Sequence, residues 1–246
     1  MSHKDIFSAL EDAIGTDQSD LAEWSKNYYQ YHQERYSYDL SLIDRFYQTG
    51  SILEIGSSPY HLTNLLKLKG LPVMGVDIDP VRQADFISRN NLQIVKCNIE
   101  TEPLPFEDNA FHYIIFTEIF EHMRINPIAT LREVNRVLHP DGVMVLSTPN
   151  LYSIRNVVNL MVGKGFDNPY NQFIKLETIG HMGHVREYTV SQVKTFLKNT
   201  GFYSDKVEMK SHQPLKGMWR VFNVVRKVLP VFHTYQVHIC RKQEAN

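Results

Sequence analysis

From residue 51 onward, short apolar runs alternate with amphipathic stretches. Ser51 to Ile55 reads as a strand and Pro59 to Lys69 as the helix after it; Pro72 to Val76 predicts a second strand and Pro80 to Arg89 a second helix. Leu92 to Cys97 is a third strand. Phe111 to Thr117 has Ile114, Ile115 and Phe116 side by side, which predicts a strand buried on both faces. Ile128, Leu131, Val134, Val137 and Leu138 recur at helical spacing, and His139-Pro140-Asp141-Gly142 predicts the turn that ends this helix, before a fifth strand from Val143 to Leu146. Thr189 to Asn199 is a helix with Gly201 just past its C-terminus. Val207 to Met209 and Tyr235 to Cys240 predict two last strands, with a helical segment, Gly217 to Leu229, between them. Strands alternating with helices imply an α/β chain whose mostly parallel sheet is covered on both faces.

Residues 1–48 carry no strong strand and predict a helical cap rich in tyrosine (Tyr28, Tyr29, Tyr31, Tyr36 and Tyr38). Residues 49–246 then form the main domain, with insertions at about 150–187 and 213–232. The formal net charge of −1 is a balance between an acidic head and a basic tail. Residues 1–48 hold nine acids and four bases, whereas residues 205–246 hold eight bases and three acids. The overall balance removes the whole-chain basic excess of a nucleic-acid binder, and the acidity of the head argues against its tyrosines stacking on bases. Cys97 and Cys240 cannot make a disulfide framework. Residues 1–10 lack an apolar signal-peptide core, and no run approaches the ~20 apolar residues of a spanning helix. The expectation is a cytoplasmic protein.

Chemistry concentrates where the predicted strands end. The first strand runs into Gly56-Ser57-Ser58-Pro59, where Ser58 reads as an N-cap and Pro59 as the first helical residue. Gly56 lets a ligand approach the backbone. The second strand ends in Asp77, 21 residues beyond Gly56, where a carboxylate can accept from both ribose hydroxyls of an adenosine-type cofactor. Asp79, directly before Pro80, reads as the cap of the next helix.

With these residues comes a resemblance. Ile52-Leu-Glu-Ile-Gly56, Gly75-Val-Asp-Ile-Asp79, Leu104 to Phe111, Phe116-Thr-Glu-Ile-Phe-Glu-His122 and Leu131 to Gly142 resemble the cofactor half of the class I S-adenosylmethionine-dependent methyltransferases, in the ubiquinone-biosynthesis-like group. Gly183-His-Val-Arg-Glu-Tyr-Thr189 resembles a segment of that group's small-molecule and glycan-modifying members. The resemblance implies a Rossmann-like, seven-stranded, mostly parallel sheet with an antiparallel last strand. It also implies S-adenosylmethionine as cofactor. Glu54, Gly56 and Ser57 would line the methionine end, Asp77 would take the ribose, and Ile78 would pack on the adenine. Asn98, with Ile99, stands where the family usually places an acid facing the adenine amine; Thr117 and Glu118 would lie near the sulfonium and the acceptor. The sequence departs from the family at Ser58 and Pro59, which replace glycines, at Asn98, and at His112, where an aspartate is frequent.

The implied reaction is methyl transfer to a small-molecule or sugar-like acceptor, preferentially at oxygen. A non-catalytic S-adenosylmethionine-binding protein on the same fold is the alternative, and a nicotinamide enzyme fits less well because the multi-glycine phosphate loop is missing. Proton handling falls to His184 and His122, each of which could instead only order a loop. His181 and His184 do not suggest a metal, since their glycine-containing stretch shows no third and fourth ligand at regular spacing. Arg186 and Tyr188 are candidates for holding the acceptor, Arg186 by pairing with a carboxylate or phosphate. Arg35 and Tyr36 could approach the cofactor carboxylate. Residues 217–229 place Trp219, Phe222, Val225 and Leu229 on one helical face, which fits either a packed lid or dimer contact, or a peripheral contact with an anionic membrane.

Overall fold

The computed structural model describes residues 3–165, 168–179 and 183–243. Seven strands form one sheet in the order β3-β2-β1-β4-β5-β7-β6, comprising β1 (Ile52–Ile55), β2 (Val73–Asp77), β3 (Ile94–Lys96), β4 (Phe111–Thr117), β5 (Leu138–Pro149), β6 (Phe202–Lys210) and β7 (Tyr235–Lys242). The β1–β2, β1–β4 and β2–β3 pairs are parallel, and β6 and β7 pair antiparallel. This is the α/β sheet that the hydrophobic pattern predicts. The chain divides into two compact units, residues 1–115 with 136–144, and residues 116–135 with 145–246.

In the first unit, α1 (His3–Gly15) buries Ile6, Leu10 and Ile14 at helical spacing, and α2 (Ala22–Phe46) buries Tyr29, Tyr36, Leu40 and Ile43. The tyrosines of α2 frame a buried imidazole: His61 meets Ser25 Oγ through Nε2 (2.8 Å) and Tyr36 Oη through Nδ1 (3.2 Å). Helix α3 (His61–Leu68) begins two residues later than the sequence predicts. The chain first closes a turn in which the Tyr60 N–H donates to the Ser57 carbonyl at 2.6 Å, and Tyr60 itself lies at φ +66°, outside helical space. Ser58 and Pro59 therefore belong to the turn and not to the helix start. Past β2, a 3₁₀ turn over Pro80–Gln83 precedes α4 (Ala84–Arg89). Asp79 stands at the cap position of that turn, but its side chain makes no capping hydrogen bond, which corrects the role assigned to it.

Helix α5 (Pro127–Val137) passes directly into β5, so the strand starts at Leu138 and not at Val143. The expected separate turn is absent, since residues 139–142 already belong to the strand. A Cβ at Gly142 would lie 2.9 Å from the His139 carbonyl and 3.1 Å from that of His112, a distance only glycine permits. His112 occupies a structural position at the start of β4, where its ring stacks on His139 with centroids 4.2 Å apart.

In the second unit, Phe120 is fully buried against Phe116, Tyr188 and Phe196. The stretch 150–187 is more helical than its polarity suggests, holding α6 (Ile154–Met161) and α7 (Pro169–Ile179). Helix α8 (Val190–Asn199) is opened by a capping box between Thr189 and Gln192 and is followed by Gly201 at φ +86°. Residues 217–221 form a 3₁₀ turn leading into α9 (Phe222–Val228). Trp219, Phe222 and Val225 are half-buried, while Met218, Val221, Val224 and Val228 face outward. Among the described residues no helix is long and apolar enough to cross a membrane.

Candidate active site

The first unit gathers the residues expected around an adenosyl group. Glu54, the third residue of β1, is buried, and Oε2 accepts from the Thr63 hydroxyl of α3. Burial pushes its carboxyl up to about 8, against the Thr63 hydrogen bond; the Asp39 charge raises it further and the Arg35 charge lowers it. A desolvated carboxyl in this condition is stabilised by a cation placed beside it. The amino group of a methionine tail is a cation of that kind, and Arg35, whose charge acts on Glu54, has Nη2 donating to Tyr28 Oη at 2.8 Å. Tyr36 is committed instead to His61. Gly56, at φ +68°, turns the chain out of β1.

Asp77 ends β2 with its side chain fixed in place. Oδ2 accepts from the Ser58 N–H at 3.1 Å and Oδ1 from the Asp79 N–H at 2.9 Å. Each carboxylate oxygen can accept a second hydrogen bond, so this orientation leaves capacity for a vicinal diol. Burial raises the Asp77 carboxyl, and the two backbone donors oppose that rise. Ile78, next in sequence, is 55% exposed, an apolar side chain held out where an adenine could lie. These residues fit S-adenosylmethionine. Ser57 fits less directly. Its hydroxyl turns toward the Val76 carbonyl at 3.4 Å and the side chain is buried against Gly75. Asn98 is half-buried, and its amide oxygen accepts from the Glu100 N–H at 3.1 Å. Ile99 beside it is also half-buried.

The second unit assembles a separate polar cluster where β4 and β5 end. Thr117 closes β4 and Glu118 follows in the left-handed region at φ +57°, its N–H bonded to the Ser147 carbonyl (3.0 Å) and its Oε1 to the Ser147 hydroxyl (2.6 Å). Glu121 is completely buried, and Oε2 accepts from Thr148 at 2.9 Å. His122 Nδ1 donates to the Gly183 carbonyl at 3.0 Å, which leaves Nε2 as the ring's acceptor. The 183–188 segment is laid against this turn by the N–H groups of Val185 and Arg186, both directed at the Glu121 carbonyl. His184 thereby faces His122, ring centroids 5.1 Å apart, with Nδ1 3.6 Å from Glu187 Oε1. Glu187 is in turn held by Asn156 of α6 at 2.6 Å.

Burial pushes the Glu121 carboxyl up to about 8, the Glu118 charge adds to the rise, and His184 opposes it. Burial alone would lower His184, but the neighbouring Glu187 carboxylate, 3.6 Å away, and the charges of Glu121 and Glu118 raise it. His184 and His122 are thus brought together, a pairing the sequence did not predict, and the Glu118 charge acts on both Glu121 and His184. Arg186 is exposed and stands 5.5 Å over the Tyr188 ring. Tyr188 is buried between Phe120 and Phe196, a core position. His181 lies outside the described residues. Sequence reading missed Glu121 and Glu187. The first was legible as the second acid of a Glu-x-x-Glu-His turn; the second gave no sign of its role before the fold placed Asn156 and His184 around it.

Known proteins resemble the chain in both sequence and fold. A protein of Mycobacterium tuberculosis named as a probable S-adenosylmethionine-dependent methyltransferase is 26% identical over 152 residues, covering 61% of this chain and 48% of its own length. The chain spans about half the length of the curated relatives it matches. The fold of an S-adenosylmethionine-dependent methyltransferase of Thermotoga maritima superposes with a TM-score of 0.60 at 15% identity, over 91% of this chain and 97% of that one. The 1,6-didemethyltoxoflavin-N1-methyltransferase of Burkholderia thailandensis, solved with S-adenosylhomocysteine, superposes with a TM-score of 0.60 at 13% identity, over 99% of this chain and 92% of that one. A family model described as a methyltransferase domain matches residues 29–207, most of the chain, which therefore belongs to the class I S-adenosylmethionine-dependent methyltransferases.

Proposed function

We propose that this protein transfers a methyl group from S-adenosylmethionine to a heteroatom, preferentially a hydroxyl oxygen, of a small-molecule or sugar-like acceptor. When bound, the cofactor supplies an electrophilic methyl on a sulfonium that leaves as a neutral thioether. A hydroxyl attacking that methyl must give up a proton, and this demand separates oxygen acceptors from softer nucleophiles. The observation that carries the reading is the cluster after β4, in which two imidazoles and the carboxylates Glu118, Glu121 and Glu187 converge. His184 and His122 weaken the acceptor's hold on its proton. Arg186, an exposed cation on the same segment, suits an acceptor carrying a carboxylate or phosphate.

Incubating the protein with methyl-labelled cofactor and a panel of sugars, phenols and amines, followed by mass spectrometry, tests this directly. Label appears on oxygen, and His184→Gln and His122→Gln each lower turnover at least tenfold while cofactor affinity measured by calorimetry stays within twofold. Label confined to nitrogen or carbon acceptors, or full turnover in both variants, refutes the assignment.

A further inference from the structure

The three atoms that point inward in the second unit's cluster are Glu121 Oε1, His122 Nε2 and His184 Nε2. Each imidazole nitrogen lies 3.9 Å from the same carboxylate oxygen. That is too long for a hydrogen bond, whose N···O distance is about 2.7–3.2 Å. The candidate ligand atoms of these residues all lie within 4.8 Å of one another. Ions bound by nitrogen and oxygen at about 2.0–2.2 Å hold tetrahedral neighbours roughly 3.3 Å apart. The cluster is therefore a little wider than a loaded site and closes on one by small side-chain rotations.

The remaining polar atoms are already engaged in the manner that orients metal ligands. His122 gives its Nδ1–H to a backbone carbonyl, His184 turns Nδ1 toward Glu187, and Glu121 receives Thr148 on its second oxygen. Asn156 and Thr148 supply a further layer of hydrogen bonds behind these groups. A histidine whose distal nitrogen is tied to a carbonyl or carboxylate presents a defined lone pair at the other nitrogen. Independently, Glu121 Oε1 is buried and makes no hydrogen bond, although Glu121 is 0% exposed. An unsatisfied carboxylate oxygen at this depth is costly unless a partner arrives.

We propose that Glu121, His122 and His184 bind one divalent first-row transition-metal ion, of the zinc or manganese kind, through one carboxylate oxygen and two imidazole nitrogens. The donor set suits such ions, whereas magnesium and calcium favour all-oxygen sites. Three protein ligands leave a coordination position open for a fourth group. Resting on the oxygen-methylation reading, the inference deepens it: the acceptor hydroxyl takes the open position and the ion lowers its pKa. The hydroxyl's proton is released to solvent as the oxygen attacks. The O–C bond then forms as the C–S bond breaks. Both histidines act by holding the ion.

Binding can be measured without methyl transfer. Tag-free, chelator-treated full-length protein is titrated with Co²⁺, followed by its visible absorption, and with Zn²⁺ and Mn²⁺ by calorimetry. One ion per chain binds at micromolar concentration or tighter. His184→Gln and His122→Gln each weaken it at least tenfold, Glu187→Gln weakens it about tenfold to a hundredfold, and His139→Gln leaves it unchanged. Glu121→Gln alters a fully buried position, so melting curves accompany every variant and the two histidine variants decide the result. A folded wild type that binds none of the three ions at millimolar concentration overturns the site, as does unchanged binding in His184→Gln and His122→Gln. If the ion binds as described but no hydroxyl is methylated, the site stands and the oxygen-acceptor reading fails.

Discussion

Replacing Asp77 by asparagine probes the cofactor reading most sharply, because the geometry states what is lost. In the native chain both carboxylate oxygens accept from backbone N–H groups, Ser58 at 3.1 Å and Asp79 at 2.9 Å, and each keeps capacity for a ribose hydroxyl. Asparagine retains one oxygen. Its amide NH₂ cannot accept from a backbone donor, so one of the two N–H groups loses its partner and one charge-assisted bond to the ribose disappears. Hydrogen bonds to charged groups contribute about 1.5–3 kcal/mol, and each 1.4 kcal/mol is tenfold in affinity. The expected loss is therefore roughly tenfold to 150-fold. Calorimetric titration with S-adenosylmethionine and with its demethylated product measures it, beside a melting curve showing that Asp77→Asn stays folded at the working temperature. Asp77→Ala is the poorer probe, since it leaves both N–H groups without the carboxylate. A folded Asp77→Asn protein that binds both molecules within threefold of wild type would refute the ribose assignment.

Three further outcomes follow from the same geometry. His61 is buried with its pKa lowered to about 3, chiefly by burial and then by the Arg35 and His32 charges; the unfolded chain binds its proton at about 6.5, so stability falls as pH drops from 6.5 toward 3. At pH 5 the loss from this group is about 2 kcal/mol, and urea melts of wild type and His61→Gln at pH 7 and pH 5 should show the variant losing that much less. Thr189→Ala removes half of the capping box that opens α8 and should cost about 0.5–2 kcal/mol in chemical denaturation, with Thr189→Ser restoring most of it. For the basic tail, Val221 and Val224 are each 65% exposed, and residues 211–234 contain four bases and no acid. Flotation with phosphatidylserine-containing vesicles in low salt should carry the wild type and leave Val221→Asp/Val224→Asp behind; wild type remaining at the bottom would remove membrane contact at this face.

The alternation of apolar strands and amphipathic helices was legible because each element depends on a period of two or 3.6 that the chain carries locally. The place of Asp77 was legible for a related reason: a carboxylate at the end of a parallel strand has a position set by its own strand. The turn at 56–60 was not. Ser58 and Pro59 have the local chemistry of a helix start, and the left-handed Tyr60 with its hydrogen bond to Ser57 overrode that preference. The basic segment shows the same limit. Its periodicity marks Trp219, Phe222, Val225 and Leu229 as an apolar face, but tertiary packing half-buries only the first three and leaves Leu229 exposed along with Val221 and Val224.

The cluster in the second unit depended most on the fold. Its sequence contains Glu118, Glu121 and His122 in one turn, and His184 and Glu187 some sixty residues later. That these groups meet, and that Glu121 Oε1 is left buried without a hydrogen bond, follows from two N–H groups of the later segment docking on the Glu121 carbonyl. By itself the sequence determined the sheet, the cofactor class and the strand-end carboxylate, all of which rest on contacts or patterns within a few residues. Tertiary structure alone decided which buried carboxylate faces which imidazole, because desolvation and the exclusion of water depend on segments that are distant along the chain and adjacent in space.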